Sequence, residues 1–165
     1  MKKSLERIAE ELATRAHAGQ VRKDGKTPYI THPEAVVSLL KNIGIEDENI
    51  IAAGWLHDTI EDCGITRQVI EREVNSEVAR IVSILTRDVG REEYIERIRK
   101  ANYSVKIVKL ADFVHNCSTL SSELPAKTIQ RKVEDAKKFY LALAQEVHPP
   151  WGGLINGYIS PYVNV

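Results

Sequence analysis

The chain has 165 residues, which is enough for one ordinary domain with a sizeable hydrophobic core. Its composition, 43% hydrophobic and 28% charged, is that of a globular protein and excludes disordered and membrane-spanning chains. The 23 basic and 23 acidic side chains balance, so no net field attracts nucleic acid or anionic lipid, and we expect neither as a partner. A bound polyanion would require a local cluster of basic residues.

The beginning of the chain predicts a cytoplasmic protein. Acidic residues interrupt the apolar positions of "MKKSLERIAEELA", so we do not expect a secretory signal. No apolar run approaches the ~20 residues that a membrane-spanning helix requires. The two cysteines, Cys63 and Cys117, are too few for a disulfide framework, and we interpret them as reduced thiols that fill small spaces in the core.

Apolar residues recur at helical spacing through most of the chain, which predicts an all-α fold. A first helix of about four turns, with apolar positions from Leu5 to Ala16, is predicted to end near "HAGQ", residues 17 to 20. The basic sequence "AGQVRKDGKTPYIT", residues 18 to 31, contains Gly and Pro and is predicted to be a loop. Pro33 suits the first turn of a second helix, which ends at Gly44.

Asp47 is predicted to cap a third helix that runs uninterrupted through "HDTIED" to a stop at Gly64. Two amphipathic segments then begin at Thr66 and Ser76. The charged stretch from 87 to 103 predicts a short exposed helix with a loop.

The sequence "SVKIVKLADFVHNCSTL" is open to two interpretations. Its β-branched residues suit a strand, but its apolar positions also recur at helical spacing, so we predict an uninterrupted helix. A long helix follows from Ala126 to about Val147. Residues 148 to 165 are rich in Pro and Gly and are predicted to form an irregular tail, so the domain is expected to cover residues 1 to 147.

The stretch "AAGWLHDTIEDCG", residues 52 to 64, places ionisable side chains directly after an apolar run. On one helix Asp58, Glu61 and Asp62 would share a face, with His57 one step round from them. Three neighbouring carboxylates repel one another, and a divalent cation would compensate their charge. The alternative is an ordinary charged helix end, which is less favourable because acids at a helix C-terminus oppose its dipole.

Two further residues extend this candidate metal site. His32 stands at the start of the second helix, and Asp112 lies in the apolar "VKLADFVHN", where an unpaired carboxylate would be costly. With His57 and Asp58 they supply two nitrogens and two carboxylates, a set that suits Mn²⁺, Fe²⁺ or Mg²⁺ and does not exclude Zn²⁺.

Three motifs, "HAGQVRKDGKTPYITHP", "AAGWLHDTIEDCGIT" and "VKIVKLADFVHN", resemble successive signatures of the HD-domain hydrolases of the Rel/SpoT type. The resemblance runs from about Leu5 to Leu120 and is closest to the small stand-alone members, such as the metazoan SpoT homologue. It implies an all-α HD-domain helical bundle. It also implies removal of the 3′-pyrophosphate from guanosine tetra- and pentaphosphate, giving GDP or GTP and pyrophosphate, usually with Mn²⁺.

The resemblance also implies roles for individual residues. It implies four metal ligands, which are His32, His57, Asp58 and Asp112. The acids that orient or deprotonate the attacking water are then Glu61 and Asp62, and the sequence does not decide between them. The implied nucleotide-binding residues are Arg22, Lys23 and Asn116.

Some of these residues have structural alternatives. Arg22 and Lys23 would also suit an ordinary solvated loop, and Tyr29 would either stack on a base or pack beneath that loop. His17 is interpreted as a hydrogen-bonding group of the first helix and not as a ligand.

The chain departs from the family pattern at three positions. The basic residue that usually follows "LAD" is replaced by Phe113, and Cys117 and Ser118 stand where a Met-Arg pair is usual. These departures favour a second hypothesis, an HD phosphohydrolase for another nucleotide such as a nucleoside monophosphate or NADPH. A third is a non-catalytic nucleotide sensor, against which the retained Glu61 and Asp62 argue. Whether the chain forms a homo-oligomer stays open.

Overall fold

A computed structural model describes residues 3–163 and confirms the all-α fold. Within this range the regular structure is helical, apart from one isolated antiparallel bridge between Val21 and Pro28. The chain divides into two compact units, residues 1–108 and residues 109–165, and the boundary falls inside a continuous helix. The sequence did not indicate this division.

Seven helices and the beginning of an eighth form the first unit. They are α1 (Leu5–Ala16), α2 (Thr31–Asn42), α3 (Glu48–Leu56), α4 (Thr59–Cys63), α5 (Arg67–Glu73), α6 (Ser76–Leu85), α7 (Arg91–Lys100) and the start of α8 (Tyr103–Ser118). The predicted caps are confirmed, since the Asp47 side chain accepts a hydrogen bond from the Asn49 N–H, and Gly64 ends α4 with a positive φ.

Helix α3 lies at the centre of the first unit and packs against α1, α2 and α6. All of its residues from Ile50 to Leu56 are buried, so it has no polar face. Gly54 allows a close approach to α2, because a Cβ at this position would lie 3.1 Å from side-chain atoms of both Val37 and Leu40. This packing fixes the end of α3, where the polar motif begins.

The prediction of one helix through the polar motif is wrong. Helix α3 ends at Leu56, His57 and Asp58 form a turn, and α4 starts at Thr59. The Thr59 hydroxyl donates to the Leu56 carbonyl oxygen at 2.8 Å, which satisfies a backbone acceptor at the break. The acids therefore do not share the face of one straight helix.

The charged stretch after α6 forms α7, as predicted, although Tyr94 and Ile98 are buried. Helix α8 is uninterrupted, as predicted from its helical spacing. Residues 109–118 of α8 belong to the second unit.

The second unit continues with α9 (Ala126–Asp135), a π-helical segment (Ala136–Tyr140), α10 (Leu141–Val147), α11 (Pro149–Ile159) and a 3₁₀ turn (Ser160–Tyr162). The predicted helix from Ala126 to Val147 is thus present, with one π-helical turn that the sequence pattern did not indicate. This turn places Tyr140 against Phe113, whose ring is parallel to it at a centroid distance of 3.5 Å.

The prediction of an irregular tail is wrong for α11. Pro149 and Pro150 occupy the first two helical positions, where a missing N–H costs nothing. Trp151, Ile155 and Ile159 follow at four-residue spacing, are all buried, and lie on a helix that packs against α10. Helix α11 is therefore part of the core of the second unit.

Candidate metal centre

His32 and His57 bring two imidazole nitrogens together inside the first unit. His32 is the second residue of α2, His57 directly follows α3, and both side chains are buried. Their Nε2 atoms are 3.2 Å apart. The His57 Nδ1–H donates to the Gly54 carbonyl oxygen at 2.8 Å, because a carbonyl can only accept. In the neutral ring Nε2 is therefore the unprotonated nitrogen, the form in which imidazole binds metals.

Asp58 adds a carboxylate to this pair. Its Oδ2 atom lies 3.1 Å from His57 Nε2 and 3.5 Å from His32 Nε2. The side chain is partly exposed, so the group of three opens toward solvent on the Asp58 side while the two rings remain buried.

These spacings fit a single bound cation. Two nitrogens at about 2.1 Å from one ion lie roughly 3.0 Å apart at a right angle and roughly 3.4 Å apart at the tetrahedral angle. The observed separation of 3.2 Å falls between these values. Two lone pairs facing each other in a buried site repel unless a cation or a proton lies between them. Hence the residues present suit a divalent metal.

The two acids of α4 point to different partners. Asp62 Oδ2 lies 3.2 Å from the Tyr29 hydroxyl, which donates to Asp58 Oδ2 at 2.6 Å. Glu61 instead accepts the backbone N–H of Arg87 at 2.9 Å and so ties α4 to the segment after α6. Asp62 is thus connected to the metal-site carboxylate, whereas Glu61 is connected to a neighbouring loop.

The loop between α1 and α2 is built around Asp24. The Asp24 carboxylate accepts the backbone N–H groups of Lys26 and Thr27 and the Thr27 hydroxyl. These hydrogen bonds, that of the hydroxyl foremost, lower the pKa of Asp24 to about 2. Lys23 is exposed on this loop, and Arg22 places its guanidinium 5.5 Å from the centre of the Tyr29 ring.

Tyr29 is the link between the loop and the metal site. Its ring is stacked on His17, with centroids 4.6 Å apart and an interplanar angle of 23°. His17 in turn donates from Nδ1 to Gln20 Oε1 at 2.8 Å and lies 3.2 Å from Cys63 Sγ. The interpretation of His17 as a hydrogen-bonding group is confirmed.

Cys117 is buried, as expected of a packing residue, whereas Cys63 is half-buried and lies beside His17 and Gln20. Burial raises the pKa of the Cys63 thiol, and the hydrogen bond from Gln20 offsets this only in part. Burial also raises the pKa of Cys117 to about 12. Both thiols are therefore protonated near neutral pH, and neither is a ready metal ligand.

In the second unit, Asp112 is a buried carboxylate with two local partners. Lys109 Nζ donates to its Oδ2 at 2.8 Å, and Asn116 Nδ2 donates to its Oδ1 at 2.5 Å. All three residues lie on one side of α8, since they are three and four positions apart. Asn116, predicted to bind the nucleotide, thus contacts a predicted metal ligand.

Phe113, which replaces the usual basic residue, is committed to packing. It is almost fully buried, it stacks on Tyr140, and Lys132 Nζ lies 5.1 Å from its ring centre. Its side chain therefore has no polar group to offer a phosphate.

Sequence reasoning missed the hydroxyl of Tyr29, which joins Asp58 to Asp62, and the anchoring of Glu61 on Arg87. Both contacts join residues at least 26 positions apart along the chain. The adjacency of Tyr29 to His32 was the only sequence signal for the first of them.

The HD-domain model matches residues 9–147 of the chain. The guanosine-3′,5′-bis(diphosphate) 3′-pyrophosphohydrolase MESH1 of Mus musculus is 32% identical over 135 residues, which cover 77% of this chain and 75% of that protein. The bifunctional (p)ppGpp synthase/hydrolase SpoT of Escherichia coli K12 is 36% identical over 154 residues, covering 86% of this chain and 21% of SpoT.

The chain spans about a fifth of the length of several curated relatives, including 19% of a probable GTP pyrophosphokinase of Mycobacterium leprae. The solved structure of a metazoan ortholog of SpoT superposes with a TM-score of 0.81 at 21% identity, over 100% of this chain and 99% of that chain. Among residues 3–163, no helix combines the length and the apolar character needed to cross a membrane.

The matched region contains every residue of the candidate site. His32 and His57 offer ring nitrogens suited to a metal, and both lie within the region that the HD-domain model matches. A divalent metal is thus indicated. By the extent of the domain match and by its likeness to the mouse protein, the chain belongs to the HD-domain family, among the hydrolases of the Rel/SpoT type.

Proposed function

We propose that this chain is a metal-dependent hydrolase that removes the 3′-pyrophosphate of guanosine tetra- and pentaphosphate, giving GDP or GTP and pyrophosphate. One observation carries the proposal, namely that the Nε2 atoms of His32 and His57 lie 3.2 Å apart with Asp58 Oδ2 close to both. The choice of substrate is supported by the mouse relative, of which the chain covers three quarters and which carries this activity in its name.

We assign the ion as Mn²⁺, with Fe²⁺, Mg²⁺ and Zn²⁺ as alternatives. The proposed ligands are His32, His57, Asp58 and Asp112. Two imidazoles with two carboxylates form a mixed donor set without thiolate, which favours Mn²⁺ and Fe²⁺ over ions that prefer sulfur. When bound, the metal supplies a water of lowered pKa and withdraws charge from a phosphoryl oxygen.

The remaining residues hold the substrate and move the proton. We propose Asp62 as the acceptor of the proton from the attacking water, because it shares the Tyr29 hydroxyl with the ligand Asp58. We propose that Glu61 acts indirectly, because its hydrogen bond from the Arg87 N–H ties α4, the helix that carries Asp62, to the segment after α6.

Arg22 and Lys23 are proposed to hold the polyphosphate from the loop after α1. A substrate of high negative charge is repelled by the carboxylates at the metal site, and two cations on the neighbouring loop offset that repulsion. Asn116 is proposed to contact the nucleotide while its amide also donates to Asp112.

A product assay tests the proposal. The purified chain with Mn²⁺ is offered guanosine tetraphosphate, a nucleoside monophosphate and NADPH, and released pyrophosphate is measured separately from orthophosphate. Pyrophosphate from the tetraphosphate alone is the expected result. Absence of any turnover, with nucleotide still bound, would support a non-catalytic sensor and overturn the proposal.

A phosphohydrolase for another nucleotide is a second candidate, favoured by Phe113. Since this side chain is buried against Tyr140, the basic contact that the family usually offers at this position is lost. Orthophosphate released from the monophosphate or from NADPH in the same assay would select this alternative.

A further inference from the structure

We propose that Tyr29 is a positioning residue whose hydroxyl holds the metal-ligand carboxylate of Asp58 and the acid Asp62 in one fixed arrangement. This inference rests on the proposed metal centre and assigns Tyr29 a role other than nucleotide stacking. The role belongs to the hydroxyl and not to the aromatic face.

The hydroxyl lies between the two carboxylates. It is 2.6 Å from Asp58 Oδ2 and 3.2 Å from Asp62 Oδ2. The shorter distance is that of a charge-assisted O–H···O⁻ hydrogen bond, so the single phenol proton is donated mainly to Asp58. Asp62 stays within reach of the same oxygen, which ties the position of the proposed proton acceptor to that of the ligand.

The ring of Tyr29 is held from two sides. It stacks on His17 at 4.6 Å and meets the buried ring of His32 edge-on at 5.8 Å. His17 is buried and is itself oriented by Gln20. The packing of these rings therefore helps to place the hydroxyl.

The oxygen that receives this hydrogen bond is the one that faces the imidazoles. Asp58 Oδ2 lies 3.1 Å from His57 Nε2 and also accepts from Tyr29. The hydrogen bond from Tyr29 favours the orientation in which Asp58 Oδ2 faces the imidazoles, so less ordering of this partly exposed side chain is needed when the ion binds. Groups that contact a metal ligand from outside typically account for roughly 10- to 100-fold in metal affinity.

The ring and the hydroxyl of Tyr29 would have different effects on metal binding. If Tyr29 acts through its ring, Tyr29→Phe keeps the stacking on His17 and leaves metal binding unchanged. If it acts through its hydroxyl, Tyr29→Phe loses the hydrogen bonds to Asp58 and Asp62 while the ring packing stays.

The experiment is a titration of the purified apo-protein with Mn²⁺, followed by EPR of the free ion. We expect Tyr29→Phe to bind Mn²⁺ roughly 10- to 100-fold more weakly than the unchanged protein. The control is Tyr94→Phe, which removes another buried phenol hydrogen bond of the first unit, 2.7 Å long to the Leu85 carbonyl oxygen, and should leave the Mn²⁺ affinity unchanged. Equal Mn²⁺ affinity of Tyr29→Phe and the unchanged protein would overturn the inference.

A second readout distinguishes positioning from a general loss of structure. At saturating Mn²⁺ we expect Tyr29→Phe to lower kcat with the KM for the nucleotide unchanged, since the hydroxyl is not proposed to touch the nucleotide. A raised KM with normal Mn²⁺ affinity would show that Tyr29 is a substrate contact instead. The EPR titration does not require turnover. A protein that binds Mn²⁺ but hydrolyses no guanosine polyphosphate would therefore contradict the proposed function, while the effect of Tyr29 on Mn²⁺ affinity could still be measured.

Discussion

His57 illustrates how one side chain links the core to the chemistry. Its Nδ1–H donates a hydrogen bond to the Gly54 carbonyl oxygen inside the first unit, so Nε2 faces His32. A carbonyl near the buried end of α3 thus selects the tautomer that a metal requires. The sequence indicates that His57 follows an apolar run, but the acceptor of Nδ1 becomes evident only from the backbone.

Asp58 and Glu61 should separate metal binding from turnover. We expect Asp58→Ala to weaken Mn²⁺ binding by more than the roughly 10- to 100-fold typical of residues outside the ligand set, and to abolish hydrolysis with it. Glu61→Ala should spare Mn²⁺ binding and lower kcat, because Glu61 contacts the Arg87 N–H and not the imidazoles. Calorimetric titration with Mn²⁺ and a pyrophosphate assay check both. Loss of Mn²⁺ in the two variants alike would contradict this division of roles.

For individual residues of the candidate site, the residue types could be predicted from the sequence, but their hydrogen-bond partners could not. The spacing of acids after an apolar run indicated a cation at Asp58, and the structure places His32 and His57 beside it. Which of Glu61 and Asp62 turns toward that centre depends on contacts with residues far away along the chain, Tyr29 and Arg87. Hydrogen bonds of that kind leave no periodic signal.

Among the elements, the loop between α1 and α2 depends on the charge of Asp24. Its folded pKa of about 2 lies below the ordinary value of 3.8 because the ionised carboxylate accepts three hydrogen bonds. A lowered carboxyl pKa stabilises the folded loop above pH 3.8, and this contribution is lost as the pH falls toward about 2. We expect an NMR titration of the Asp24 carboxyl carbon to show a midpoint near 2.

The control is Asp24→Asn, which keeps an acceptor for the backbone N–H groups of Lys26 and Thr27 without the titrating charge. Its loop resonances should not shift between pH 4 and pH 2. A midpoint near 3.8 for Asp24 in the folded protein would show that the turn is not held by the ionised carboxylate.

The contact of α3 with α2 should be intolerant of one methyl group. In Gly54→Ala the new Cβ would lie 3.1 Å from Leu40 and Val37, which are themselves buried, and such overpacking costs about 1–3 kcal/mol. Gly153→Ala is the matched control, since that glycine lies in α11 with nothing within 4 Å of the added Cβ. It should stabilise the protein by roughly 0.5–1 kcal/mol. Urea unfolding of both variants checks the signs, and equal shifts would refute the packing argument.

Two elements show where sequence patterns are insufficient. The break between α3 and α4 falls at His57 and Asp58, neither of which is a helix breaker, so the pattern predicts continuity. Helix α11 was concealed by its Pro and Gly content, although Pro149 and Pro150 occur only in its first turn. The four-residue spacing of its buried residues did indicate a helix. The Pro- and Gly-rich composition of the segment led to the opposite prediction.

At the scale of the whole molecule, the C-terminal residues support the second unit. A chain ending at Val147 would lack Trp151, Ile155 and Ile159, all of which are buried. We expect this truncation to remove cooperative unfolding of the second unit, as seen by near-UV circular dichroism and by hydrogen exchange. A truncated chain with an unchanged Tm would show that the tail is dispensable.

Single substitutions give a finer test of the same point. Ile155→Ala should cost about 2–5 kcal/mol, because it leaves a cavity in a packed interior. Leu154→Ala, on the exposed side of α11, should change the free energy of unfolding by no more than about 0.5 kcal/mol.

The family and the helical class were accessible from the sequence, whereas the division into two units was not. Three motifs in the right order identify the family, because their residue types are imposed by chemistry. The boundary at residue 108 lies within α8, where neither Gly, Pro nor a change of polarity marks it. Such a boundary depends on which helices pack together. It therefore cannot be predicted from the residues of any single segment.

In the π-helical segment from Ala136 to Tyr140, the number of residues matters as much as their identity. A wide turn of this kind accommodates one surplus residue, so deleting a solvent-facing position such as Lys138 would restore ordinary helical winding. The residues after this segment would then keep their faces, and Leu143 would stay in the interior. We therefore expect a one-residue deletion in this segment to be tolerated, whereas one further inserted residue would rotate the following helix by about 100° and turn Leu143 out of the interior.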